Sequence, residues 1–185
     1  MDRATIDAAA LKLFKRHGFD AVKVQDICDA CHTTKPTFYH YVASKDDLVL
    51  GYYYGACDHA MARLTSAPED KGCWDQLVYV FEAIFDEMEA LGWDSLGHVM
   101  ALCLSVEEER GNLVRREDLM TSLMKLIEKG QASGEFANPT KSKILYETIS
   151  QIFQGIEYTW CVRRGNFGWR ERFFENVGAL LEVQR

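Results

Sequence analysis

Thr34-Lys35-Pro36-Thr37-Phe38-Tyr39-His40-Tyr41-Val42-Ala43-Ser44-Lys45-Asp46-Asp47-Leu48 holds two helix starts within eleven residues. Thr34 is a good N-cap. Lys35, Pro36 and Thr37 follow as a first turn, where proline is tolerated because its missing N–H has no intrahelical partner. The helix can run only to about Tyr41, because Ser44 caps the next one and Asp47 stands where a capping-box acid stands. The short helix offers Lys35, Pro36, Thr37, Tyr39, His40 and Tyr41 on its surface. Lysine reaches guanine edges or phosphate, threonine brings a hydroxyl and a methyl, and tyrosine hydroxyls reach phosphate oxygens. Lys45, beside the free N–H groups that open the following helix, adds a candidate phosphate contact.

Upstream, apolar residues at Ile6, Ala9, Ala10, Leu13 and Phe14 predict a helix over 2–17, stopped by Gly18. A second helix is expected from Val24 to Cys31, with a tight turn at His32-Thr33 before the short third one. Three short helices with the last two joined by a turn form a helix-turn-helix, whose second helix enters the major groove.

The stretch Ile6…Leu13-Phe14…Gly18-Phe19…Val24-Gln25-Asp26-Ile27, followed by Thr34–Tyr41 and Ser44-Lys45-Asp46-Asp47-Leu48, resembles the DNA-binding domain of the TetR/AcrR family. The core Thr-Phe-Tyr-x-Tyr-x-x-Ser-Lys-x-x-Leu is the specific part of the match. Ile127-Glu128-Lys129-Gly130-Gln131-Ala132-Ser133-Gly134-Glu135-Phe136 is similar to a common seventh-helix ending in that family. Four positions depart from the pattern. His32 stands in place of a turn glycine, Lys23 in place of a capping threonine, Pro36 in place of a glycine near DNA, and Val42 in place of a phenylalanine. The resemblance implies an all-α protein of about nine helices, with a head over 1–45 and a ligand-binding and dimerisation body over 46–185. It further implies a homodimer on a palindromic double-stranded operator, released by a small-molecule effector that shifts the fourth helix. It places the dimer interface on the last two helices.

The body supports a helical reading by its own spacing. Trp74, Leu77, Val78, Phe81, Ile84, Phe85, Met88 and Leu91 form one stripe closed by Gly92. Shorter helices are expected near 94–105 and 113–133. Pro139 is expected to open a long helix with Leu145, Ile149, Ile152, Ile156 and Trp160 on one face. Dense aromatics read as core packing, and the resemblance adds a pocket between the fourth through eighth helices. Aromatic lining would favour a flat apolar or aromatic effector or a cationic one, with Tyr54, Phe81, Phe85, Trp93, His98, Phe153 and Glu157 as candidate lining. Glu82, Glu89, Glu157 and His98 are the candidate polar anchors. Apolar supply on two faces makes Leu145, Ile152, Phe153, Phe173, Phe174, Val177 and Leu181 the expected dimer contacts.

Charge is uneven. Residues 1–50 hold seven of the 21 Lys/Arg and seven of the 28 Asp/Glu, so the whole net charge of -7 lies in 51–185. A neutral head on an acidic body suits DNA contact through the head alone. There is no apolar run of membrane-spanning length and no signal-peptide pattern at the start, so a cytoplasmic protein is expected. Cys28-Asp29-Ala30-Cys31-His32 spells the haem-attachment pattern C-x-x-C-H, and the two thiols at i and i+3 could also form a redox switch. The small-residue helix packing reading is preferred for both cysteines. A thiol-sensing or helical binding protein with weak or no specific DNA binding stays open as the alternative. No nucleophile–base set, phosphate loop or metal-spaced His pair marks an enzyme. No cofactor and no metal are expected. Glu107-Glu108-Glu109-Arg110 reads as a solvated segment.

Overall fold

A computed structural model describes residues 1–67, 70–105 and 117–184. Among them run nine helices: α1 (Arg3–His17), α2 (Val24–Ala30), α3 (Lys35–Tyr41), α4 (Lys45–Thr65), α5 (Cys73–Leu91), α6 (Trp93–Ser105), α7 (Glu117–Ser133), α8 (Ser142–Val162) and α9 (Trp169–Leu181). An isolated bridge pairs Phe136 with Val183. The fold is all-α, and no helix of the described residues is long and apolar enough to cross a membrane. The acidic run 107–110, Pro68 and the first residues of the helix expected from 113 lie outside the described residues.

Local chemistry sets the helix ends. The Asp2 carboxylate accepts from Thr5 N–H at 2.9 Å and caps α1, while Gly18 at φ +83 returns its N–H to the Phe14 carbonyl. In α2 the Asp26 carboxylate accepts the Lys23 N–H at 2.7 Å, so the third residue of the helix supplies the cap that lysine lacks. Ser44 Oγ accepts the Asp47 N–H at 3.0 Å, and the Asp47 carboxylate reaches back to the Ala43 N–H at 3.1 Å. The helix expected to open at Pro139 begins instead at Ser142. The intervening residues are tied down otherwise: the Gln131 amide donates to the Asn138 and Thr140 carbonyls, and Asn138 Oδ1 accepts the Thr140 N–H.

α5 is the central helix. Leu77, Val80, Phe81, Ile84, Phe85, Met88 and Leu91 are all buried, and it packs against α1, α4, α6, α7 and α9. Its N-terminus has no local cap. Glu135, just past α7, fills that role, its carboxylate accepting the Cys73 and Trp74 N–H groups at 2.7 and 2.8 Å. On the far side of α5, Arg170 of α9 binds Glu82, Asp86 and Glu89, and Trp169 Nε1 also donates to Glu89.

Candidate DNA-reading head and body cavity

α3 is held by its inner face. Phe38 and Val42 are buried beside Ile27 and Cys28, so the valine at the departing position still closes the small core. Lys35, Pro36, Tyr39, His40 and Tyr41 are exposed, and Thr37 is half-buried. The Thr37 hydroxyl shares a 3.0 Å hydrogen bond with the Thr34 hydroxyl. The Tyr41 phenol donates to the Met1 carbonyl at 3.1 Å, which steadies it against the start of the chain. His32 adopts φ +52, the left-handed conformation that the missing glycine would have taken without strain.

Lys45 departs from its expected role. Its ammonium lies 2.8 Å from the Phe19 carbonyl and 2.9 Å from the Val22 carbonyl, over the Phe19 ring. The amine stitches the end of α1 to α4, so its donors face inward rather than toward a phosphate. The other face of Phe19 stacks on His98, with ring centres 3.9 Å apart, and His98 Nε2 sits 2.9 Å from Asp46 Oδ1. The Asp94 carboxylate accepts the Phe19 N–H at 2.7 Å. Arg3 completes the seam on the other side, donating to Asp7, Asp47 and the Tyr41 carbonyl. Sequence reading missed this joint. Asp94 and His98 lie 75 and 79 positions beyond Phe19, and nothing local pairs them.

The body holds a cleft of about 140 Å³ lined by Tyr53, Phe81, Met88, Tyr146, Phe153 and Gln154, among others. Of the expected lining, Phe81 and Phe153 are there. Tyr54 meets Tyr53 edge-on outside it, and Phe85 is sealed among Phe153, Trp169, Phe173 and Phe174. Trp93 lies at the α5–α6 corner, in a separate groove with His17 and Glu89. His98 belongs to the joint. Tyr53 and Tyr146 are lining residues the periodicity did not single out.

Three of the four candidate anchors are spent: Glu82 and Glu89 on Arg170, His98 on Asp46. Hydrogen bonds from Arg170 and Trp169 hold the Glu89 carboxyl below its usual range against its desolvation. Glu157 differs. It is 2 % exposed, its Oε1 has no hydrogen-bond partner among the described residues, and burial pushes its carboxyl up to about 8.

Four expected dimer contacts cannot face a second copy. Leu145, Phe173, Val177 and Leu181 are all buried within their own chain. Ile152, Phe153 and Phe174 are half-buried, and Phe174 packs edge-on against Trp74 and Phe85. The apolar stripes fill the body first, and α8 turns a different face outward: Ile144, Thr148, Gln151, Gly155, Tyr158 and Val162, spaced by fours and threes with no charge among them.

The cysteines are free thiols. Cys28 is fully buried, and Cys31 points its thiol toward the Thr5 carbonyl. Desolvation raises both thiols, away from the thiolate a redox switch or a metal would need. Among the described residues no three His, Cys, Asp or Glu side chains form a metal-sized group.

Residues 6–52 match the family model described as bacterial regulatory proteins, tetR family. The chain is 27 % identical over 154 residues to YuxN of Bacillus subtilis (strain 168), an uncharacterized HTH-type transcriptional regulator. The match takes in 78 % of this chain but only 50 % of YuxN, so the chain spans half the length of that relative. The fold is similar to that of Salmonella enterica GusR, with a TM-score of 0.69 and 20 % identity over 98 % of this chain and 95 % of that one. It is also similar to Thermus thermophilus FadR, a TetR-family repressor solved with lauroyl-CoA, with a TM-score of 0.66 and 20 % identity over 99 % of this chain and 96 % of that one. Residues 6–52 thus match the DNA-binding head of the tetR family, and the helix order behind them is similar in fold to that of TetR/AcrR regulators.

Proposed function

We propose that the protein is a homodimeric repressor that binds a palindromic operator through α3 and is released by a small-molecule effector held in the body cleft. The observation that carries the reading is the outer face of α3. Lys35, Tyr39 and His40 stand exposed on a helix whose inner face is locked by Phe38, and Thr37 opens the first turn. The two reading helices of a dimer fall about 34 Å apart, one turn of B-DNA. The uncharged outward stripe of α8 supplies a self-complementary surface for the second copy, on one of the two helices the family resemblance names. The Phe19 joint gives the effector a path to the DNA. α4 contributes Tyr53 and Cys57 to the cleft and Lys45 to the head, so a shift of α4 is felt at both ends. Release then requires an effector that binds the shifted state more tightly than the DNA-bound one.

Selection of bound fragments from random genomic DNA tests the reading, and a palindromic motif is the expected product. On that motif Lys35→Ala should weaken binding and lower the salt slope by about one unit, while Thr37→Ala relaxes preference at one or two base pairs. Binding that enriches no motif would make the protein a helical binding module instead.

A further inference from the structure

Glu157 is the one fully buried carboxylate among the described residues, and the partly exposed acids of the body have partners. Arg170 occupies Glu82 and Glu89, and main-chain N–H groups occupy Glu135. Glu157 is the most deeply buried of the group, yet its Oε1 has no hydrogen-bond partner among the described residues. A buried polar atom left without a partner is costly, and such atoms mark sites where an absent group completes the set.

Its position gives the site a shape. Glu157 is not itself among the cleft's lining residues, but it lies one helical turn beyond two of them, Phe153 and Gln154, on α8. Tyr53 of α4 belongs to both places: it lines the cleft, and burial first, then the Glu157 charge, raises its phenol well above the ordinary range. The groups around the carboxyl are themselves uncharged at neutral pH. Tyr53 and Cys161 both carry raised values, Cys161 pushed up to about 12, and Cys57 and Cys103 add further thiols around Tyr53. Among the described residues no Lys, Arg or His pairs with the carboxyl, and its Oε1 has no hydrogen-bond partner.

We propose, building on the effector reading above, that the effector is an organic cation: a protonated amine paired with Glu157, on an aryl or compact apolar body seated among Tyr53, Phe81, Met88 and Phe153. The cleft of about 140 Å³ compares with cavities of about 150 Å³ that admit a single benzene ring. Aromatic faces attract a desolvated cation, and a carboxylate in an apolar site repels an anion. An acyl-CoA, the ligand of the Thermus relative, carries the opposite charge.

The probe series is benzylamine, benzyl alcohol and benzoate, titrated calorimetrically into the full-length protein and into Glu157→Gln. The parent should bind benzylammonium at least tenfold more tightly than the alcohol and should not bind benzoate. Glu157→Gln should erase that preference while keeping affinity for the alcohol, and its thermal midpoint should not fall, because the amide removes a buried acid. The carboxyl must ionise to pair, so ammonium affinity in the parent should rise about tenfold per pH unit from 6 toward 8 and then level off. Equal binding of amine and alcohol, a preference that survives in Glu157→Gln, or no binding of the amine at millimolar concentration would each overturn the inference. Operator binding is measured on the same preparation. Intact operator binding with no ammonium site overturns only the cation. An ammonium site whose filling leaves the operator bound supports the cation and overturns the effector reading.

Discussion

Lys45 and Glu157 show how one residue type supports two roles that only distant contacts separate. A lysine at a helix start beside a DNA-reading helix reads as a phosphate ligand, but here the Phe19 and Val22 carbonyls have claimed its ammonium. Lys45→Ala should therefore leave the salt slope of operator binding unchanged and cost stability instead. Two charge-assisted hydrogen bonds contribute about 1–3 kcal/mol, visible as a lower denaturation midpoint. An unchanged midpoint with a shallower slope would return Lys45 to the DNA. Glu157 makes the opposite point, since sequence named it among four anchors and, of the four, it alone has a buried oxygen without a partner among the described residues. Its folded value near 8 lies above that of the unfolded chain, about 4.3, so between these values the folded state holds the extra proton. Stability should fall as pH rises through that window, by about 1.4 kcal/mol per unit from this group. Chemical denaturation from pH 5 to 8 should show a drop that Glu157→Gln reduces; parallel curves would place the carboxyl in water.

At the scale of elements, boundaries set by local chemistry were legible and faces set by distant partners were not. α3 could be placed because Thr34 and Ser44 bracket it within the same few residues. The start of α8 could not, because Gln131 holds the residues after Pro139 from the far end of α7. The apolar stripes on α8 and α9 were visible as periodicity, but a period does not say which stripe meets the body. Leu145 and Val177 turned inward, and Tyr158 stayed out. The seventh-helix ending has a physical basis in the same terms. Phe136 folds back onto α7, its N–H on the Gly130 carbonyl, and a Cβ at Gly130 would lie 2.3 Å from the ring. Gly130→Ala should destabilise the protein by about 1–3 kcal/mol despite alanine's better helix propensity, measured by urea denaturation. A gain in stability would mean that the ring yields.

For the whole molecule, the proposed dimer is tested at the outward stripe of α8. Tyr158→Glu should give a folded monomer in sedimentation, with operator affinity reduced because one head alone binds weakly. Phe174→Glu should act differently, lowering the thermal midpoint, because that ring packs on Trp74 and Phe85 within its own chain. Monomers from Phe174→Glu alone, with Tyr158→Glu still dimeric, would move the interface to α9. The joint at Phe19 has a consequence for how such proteins exchange parts. The ring is gripped by Lys45 on one side and His98 on the other, and its N–H is held by Asp94, so the head ends in the middle of the body's own side chains. A reading head cut at residue 45 and grafted onto a relative's body would leave the Phe19 ring against a foreign surface. New operator specificities built by grafting, in the laboratory or by recombination, should therefore survive only when the donor's counterparts of Asp94 and His98 travel with the head, and the seam rather than the reading helix would limit which chimaeras respond to their effectors.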